Sequence, residues 1–434
     1  MWFEAAAFAT DPNAPGPAGD QSGTLFLDES PSERLPSWLQ IGGQIRGRFE
    51  RPSGTSLTNG SPDAYYASRI RLDLTIKPTR WLKFFVESQD ARVGAYNIAP
   101  APTTLYNPMD LRQAYVALNS QGRWGTVRLQ AGRQEMAFGG ERLIGPADWG
   151  MSRTFDAVDL TLARGPAKVD FFAGSAVQID STRFDRHKPG EHFYGAYGSI
   201  SKLLPGATVE PYFLFKQTLL VKSEGGLIGD GLVASPGLRL AGNTPGRLDY
   251  VVEMLLQRGS YSSDRVAAFG QSYVAGWTVT KSPLKPRISA EYSYASGDAA
   301  QKDGIRGTFD QFYPSNHGYY GMIDQFGWKN LKNWRLGFDV AVAKKLKIRT
   351  DFNEFYLATV EDALYASSGS SAILNRKATS NHIGAETNAV ALYQWTRIWK
   401  FGAGAGRLFA GDYLKQSKAN FGYTYPYLMF VGTF

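Results

Sequence analysis

Asn420-Phe421-Gly422-Tyr423-Thr424-Tyr425-Pro426-Tyr427-Leu428-Met429-Phe430-Val431-Gly432-Thr433-Phe434 is extended, aromatic, and the last stretch of the chain. A soluble domain seldom keeps its most aromatic segment for a terminal strand. A transmembrane β-barrel does, because that strand closes the sheet against the first one and meets the membrane interface, where aromatic rings are favoured. If this stretch closes a barrel, strands of roughly ten residues with alternating polarity should precede it, joined alternately by turns and loops.

The N-terminal region meets that condition. Over about 38–50, Leu39, Ile41, Ile45 and Phe49 share one face, and Gln40, Gln44, Arg46, Arg48 and Glu50 the other. Over 65–77, Ile70, Leu72, Leu74 and Ile76 oppose Arg69, Arg71, Asp73, Thr75 and Lys77. A period of two with one wholly apolar face marks a strand between two different environments. Further strands are expected near 82–92, 110–119, 124–136, 153–164, 167–179, 191–201, 207–221, 236–242, 247–259, 267–281, 286–296, 331–343, 345–358, 381–395 and 397–409. The closing stretch completes a barrel of about 18 strands.

Short turns with Gly and Pro chemistry fall at Gly165-Pro166, Pro205-Gly206, Pro245-Gly246 and Ser282-Pro283. Long loops are expected near 51–64, 93–109, 137–152, 180–190, 222–235, 260–266, 297–330, 359–380 and 410–419. The alternation predicts an all-β, transmembrane, antiparallel up-and-down barrel with short periplasmic turns and long extracellular loops. A propeller or solenoid would need a fixed-period self-similarity, and none is visible.

Composition narrows the classes. The chain has 434 residues, no Cys and a formal net charge of +8. Absence of Cys removes disulfide frameworks and thiolate sites. Mean hydropathy is −0.28, and no apolar run approaches the roughly 18 residues of a helical membrane span. Arg and Lys are spread over many strands beside Asp and Glu, so nucleic acid is not an expected partner. Ala7-Phe8-Ala9 has the small-x-small pattern of a cleavage site but lacks the basic and apolar regions that should precede it. Residues 1–36 are read as a truncated signal or flexible leader, and 37–434 as one barrel.

About 18 strands enclose more space than inward side chains fill, so a channel or a plugged lumen is expected. The inward faces carry Arg46, Arg48, Arg69, Arg71, Arg128, Arg287, Arg335 and Arg349. Arg133 joins them if Gly132 marks a bulge, which we expect because a midplane Arg facing lipid costs roughly 2–4 kcal/mol. Arg112 poses the same problem on its strand, in register with Ala114, Val116 and Leu118. Interleaved acids are Asp73, Glu87, Glu253, Glu291, Asp339, Asp351 and Glu386. Each charge taken singly is expected to be neutralised within a salt-bridged wall. Taken together, they predict an electropositive path, because rings of Arg select anions and weak, multiple sites let a permeant leave.

Other chemistry is poorly supported. His187, His192, His317 and His382 lie far apart, and nothing marks a Ser/His/Asp site. The segment Asp298 to Asp303 lacks the acidic spacing of a dedicated Ca²⁺ loop. No cofactor or metal is expected. Loop aromatics such as Trp149, Tyr313 and Tyr319 are expected to pack loops or form girdles, with stacking on sugar faces as the alternative.

LQAGRQEMAFGGERLIGPADW (129–149), YASGDAAQKDG (294–304), YYGMIDQFGWKNL (319–331) and HIGAETNAVALY (382–393) resemble the alginate-export family of outer-membrane barrels. The likeness runs over about 38–434. It implies an 18-stranded bacterial outer-membrane channel through which an anionic polysaccharide diffuses, guided by lumenal Arg and Lys. By position, Arg133 matches a lumenal Arg of the family's Gly-Arg-Gln motif. Arg46, Arg69 or Arg71, and Arg153 opening the sixth strand occupy comparable places. The expected partners are outer-membrane lipid, an anionic saccharide as permeant and a periplasmic export partner. The alternative is a porin for small anions or sugars.

Overall fold

Residues 65–79 show how the sheet is built. Arg69 and Arg71 are 2% and 6% exposed, while Ile70 and Leu72 between them are 47% and 53% exposed. A water-soluble protein would reverse those values. Here the apolar side faces outward and the charged side inward, as lipid requires. The computed structural model describes residues 35–54, 57, 62–419 and 422–434. The leader expected over 1–36 lies outside them except for Leu35 and Pro36, as do Asn420 and Phe421 of the closing stretch.

Eighteen long strands form one closed antiparallel barrel. The first nine are β1 (Leu39–Glu50), β2 (Tyr65–Thr79), β3 (Leu82–Gly94), β4 (Asn107–Gly122), β5 (Gly125–Gln134), β6 (Phe155–Arg164), β7 (Ala167–Gln178), β8 (Glu191–Leu204) and β9 (Ala207–Lys222). The rest are β10 (Ile228–Asn243), β11 (Leu248–Tyr261), β12 (Asp264–Thr278), β13 (Arg287–Ala295), β14 (Leu331–Ala343), β15 (Leu346–Leu357), β16 (His382–Gln394), β17 (Trp399–Ala410) and β18 (Gly422–Thr433). Each pairs with its sequence neighbours. β18 closes on β1, from Gln44 opposite Thr433 to Glu50 opposite Tyr427. Gly43 and Phe434 exchange backbone hydrogen bonds of 3.0 and 3.1 Å beyond that ladder.

The expected alternation of loop lengths holds except at two places. β9 and β10 are joined by residues 223–227 alone, and β11 and β12 by 262–263. Long loops expected at 222–235 and 260–266 are instead strand, because the ladders continue to Lys222 opposite Ile228 and Tyr261 opposite Asp264. Gly225-Gly226 and Ser262-Ser263 are turn residues, but of tight hairpins.

The bulge expected at Gly132 is not there. β5 runs against β4 and β6 without a register shift through Gly132 and Arg133. Gly132 does adopt φ +126, where a Cβ would meet the Ala114 carbonyl oxygen at 2.3 Å. The slip lies one strand away: Glu87 and Ser88 face Gln113 and Leu111, leaving Arg112 as the extra residue. The bulge turns Arg112 inward beside Gln113 and removes it from lipid.

Trp38, Trp81, Trp124, Trp277 and Trp395 are exposed and cluster at the end of the barrel that carries the short turns. Amphipathic rings at that level form an interfacial girdle. The packed core lies inside the barrel. Two loops of the opposite end, 135–154 and 296–330, place Met136, Ile144, Phe309, Phe326 and Trp328 against inward wall residues including Phe155, Phe193, Leu255 and Phe355. Residues 411–419 carry a one-turn helix, α1 (Asp412–Gln416), whose Tyr413 and Leu414 are buried.

Leu72→Arg should lower the unfolding free energy in bilayers by about 2–4 kcal/mol. Urea titration in lipid vesicles measures it, and an unchanged midpoint would mean that this face does not meet hydrocarbon.

Candidate functional site

Strands β1 and β2 pair with Arg46 directly opposite Arg69 and Gln44 opposite Arg71. Period-two geometry therefore projects Arg46, Arg48, Arg69 and Arg71 from adjacent strands into the bore. So many guanidinium groups at close range are unfavourable unless an anion sits among them. Loop 135–154 supplies it. Asp148 receives two hydrogen bonds of 2.9 Å from Arg69 and one of 2.7 Å from Arg71. Arg46 donates to the backbone carbonyls of Asp148 and Gly150 at 2.6 and 2.8 Å.

Burial opposes ionisation of Asp148, but Arg69, Arg71 and Arg46 outweigh it and hold the carboxyl well below the usual carboxylate range. Arg48 lies 4.4 Å from the centre of the Trp149 ring and pairs with Glu50 at 2.7 Å. Trp149 in turn stacks on His317 at 4.2 Å. Burial, Arg48 and Arg46 push His317 down to about 3, so the stacked ring is neutral. A cavity of about 130 Å³ remains between Asp148, Arg46, Arg71, His317 and Lys400.

The same loop is fixed a second time. Arg142 donates to Glu291 on β13 at 2.7 Å and to the Tyr320 hydroxyl at 2.8 Å, and lies over the Tyr319 ring at 4.2 Å. Arg112, on its bulge, pairs with Glu87 and Glu135 and donates to Ser152 at 2.7 Å. Loop 135–154 is thus tied to the wall by buried charges at both ends.

The other expected residues fall into three groups. Arg128 is inward and pairs with Asp159 at 3.1 Å, and Arg287 with Asp249 and Asp339 at 2.6 and 3.3 Å. Arg349 pairs with Asp339, while Arg335 lies 3.6 Å from Glu291 and 3.7 Å from Asp351. These form a salt-bridged wall. Glu386 faces inward but lies under loop 296–330, where it accepts from the Ile323 amide at 3.1 Å. Two residues are misplaced. Arg133, with no bulge at Gly132, shares the outward face with Leu129 and pairs with Asp156 directly opposite, at 2.8 Å. Arg153 does not open β6, which begins at Phe155; it donates to the carbonyls of Gly145 and Pro314 at 2.8 and 3.2 Å.

Sequence reading missed Asp148, Arg142 and Glu135, although all three stand within the segment that carried the family resemblance. Phe312, Tyr313 and Tyr320 pack the inward loops, as expected for loop aromatics. Among the described residues, no three His, Asp or Glu come together in a way that could hold a metal ion.

The family model for alginate export matches residues 37–423. Comparison with curated proteins by sequence finds no match. Among solved structures, the chain is similar to Pseudomonas aeruginosa OpdQ, with a TM-score of 0.61 at 13% identity, over 91% of this chain and 98% of that one. It is similar to OccK2 (OpdF) of the same organism, with a TM-score of 0.60 at 11% identity, covering 91% and 97%. OccK11 (OpdR) gives 0.58 at 12% identity, covering 91% and 95%. At such identities, the likeness speaks for the fold.

A carboxyl held below its unfolded value of about 3.9 contributes stability fully above that pH and loses it as pH falls through the folded value. Amides 147–151 should therefore keep their hydrogen-exchange protection from pH 7 to about 4 in the wild type. Asp148→Ala strands three buried guanidinium groups and should cost about 3–5 kcal/mol, with that protection lost at pH 7.

Proposed function

The chain belongs to the alginate-export family and is an outer-membrane channel, and from that premise we propose that an anionic oligo- or polysaccharide passes passively through its arginine-lined bore. The observation that carries this reading is Asp148 among Arg46, Arg69 and Arg71. A site that holds a loop carboxylate with forked guanidinium donors has the chemistry to hold a uronate carboxylate instead. Arg48, Arg128, Arg287, Arg335 and Arg349, interleaved with Glu87, Glu291 and Glu386, would continue the path as weak, multiple sites. Arg133 has no part in it. The barrel unit is 37–434, behind a leader at 1–36, and passage involves no catalytic step. A periplasmic protein would deliver the polymer for export.

One observation favours the second reading, a porin for small anions or sugars. Loops 135–154 and 296–330 occupy the bore, and the space beside Asp148 is only about 130 Å³. On the first reading, therefore, the polymer must displace Asp148 and the loop that carries it.

Planar bilayers under a salt gradient test both. The wild type should prefer anions, Asp148→Asn should raise that preference and the conductance several-fold, and Arg71→Glu should lower the preference. Arg133→Glu should leave the reversal potential unchanged. Oligouronates added to one side should block current transiently. Anion conduction without such block would select the small-solute reading, and no anion preference would remove the polysaccharide reading and leave only a porin for neutral sugars.

A further inference from the structure

A second cavity lies across the inward loops from Asp148, between strands β7 to β12 and loop 296–330. Its volume is about 440 Å³, within the roughly 300–1,000 Å³ of sites that enclose small ligands. The space beside Asp148 is below that range. Five cations line the second cavity, Arg153, Lys188, Lys216, Arg306 and Lys329, against two carboxylates, Glu191 and Asp310. Both carboxylates are taken by lysines: Lys216 lies 3.2 Å from Asp310 and 3.7 Å from Glu191, and Lys188 lies 2.9 Å from Glu191.

The other three have no ion-pair partner among the described residues. Arg153 donates to two carbonyls. Lys329 donates to the Gly369 carbonyl at 3.1 Å and sits over the Tyr365 ring at 4.4 Å. Arg306 stacks over Tyr261 at 3.9 Å. Carbonyl dipoles and ring faces orient these cations without neutralising them. Burial pulls Lys329 down to about 8 despite Asp310, as expected for a cation short of an anion. Elsewhere in the bore, Arg46, Arg69, Arg71, Arg128 and Arg287 all have carboxylates. Gln257, Thr308 and Ser368 add neutral hydrogen-bonding groups to the same walls.

We propose that this cavity is a separate carboxylate subsite for one or two residues of an acidic sugar, held by Arg153, Arg306 and Lys329 at the loop end of the bore. The choice of a sugar as the carrier of the carboxylate rests on the passage reading above; the excess of positive charge does not. Unpaired cations attract the carboxylate, and the neutral polar groups suit ring hydroxyls.

The test is calorimetric titration of the full-length chain in detergent micelles with digalacturonate, lactose and sulfate. Digalacturonate should bind saturably and lactose should not. Lys329→Gln and Arg306→Gln should each weaken binding about tenfold, the effect of losing one charge-assisted hydrogen bond. Lys329→Arg, which keeps the charge, should restore most of it, and the outward Arg133→Gln should bind like the wild type. Affinity unchanged in both Gln variants overturns the subsite. Sulfate binding as tightly as digalacturonate overturns its assignment to a sugar. If the variants weaken binding while bilayers show no anion preference, the subsite stands and the passage reading fails; the converse pair of results removes the subsite alone.

Discussion

Hydrocarbon offers no hydrogen bonds to a peptide group, so a sheet that spans a membrane must leave no edge. The ladder between Gln44–Glu50 and Tyr427–Thr433 meets that demand, and most of the molecule follows from it. Closure gives every strand one face to lipid and one to an enclosed space. The outward face must then be apolar, and charges have only the inside to go to. Arg112 shows how strict this is. Its strand takes an extra residue so that one guanidinium turns inward to Glu87 and Glu135.

Once collected inside, those charges need partners, because the bore is lined by protein and crossed by loops. A guanidinium fork suits a carboxylate better than a lysine ammonium would, since it holds both oxygens in one plane. Two kinds of partner appear. Along the short-turn end, wall pairs with wall, as Arg287 does with Asp249 and Asp339. Nearer the long loops, wall pairs with loop, through Asp148 and through Arg142 with Glu291. Only the second kind is exchangeable, because a loop has somewhere else to go. Among the described residues, no carboxylate lies within ion-pair distance of Arg306 or Lys329.

Much of the wall was legible from residue order. Alternation at 65–77 fixed which side chains face inward, and the aromatic terminus indicated closure. What failed did so for identifiable reasons. Arg112 and Arg133 both broke the alternation, but the glycine beside Arg133 drew the bulge to the wrong strand. The carboxylate of Asp156 directly opposite already accommodated Arg133 on the outside. The hairpins at 223–227 and 262–263 read as loops because Gly and Ser serve both tight and open connections. Asp148 was invisible as a partner of Arg46, Arg69 and Arg71 because its contacts span 77 to 102 residues. No local period encodes a contact of that range. Arg153 stands two residues before its strand begins, too fine a boundary for periodicity to place.

The distances along the chain bear on how the molecule is made. Loop 135–154 draws its anchors from β1, β2 and β13, and its neighbour Ser315 from residues still further on. β1 and β2 precede the loop, but Glu291 and Ser315 come well after it in the chain. The loop's last contacts therefore wait for β13 and loop 296–330, and their long sequence separation makes them slow to find. Chain order thus makes the grip of β1 and β2 on this loop the early one and that of β13 the late one.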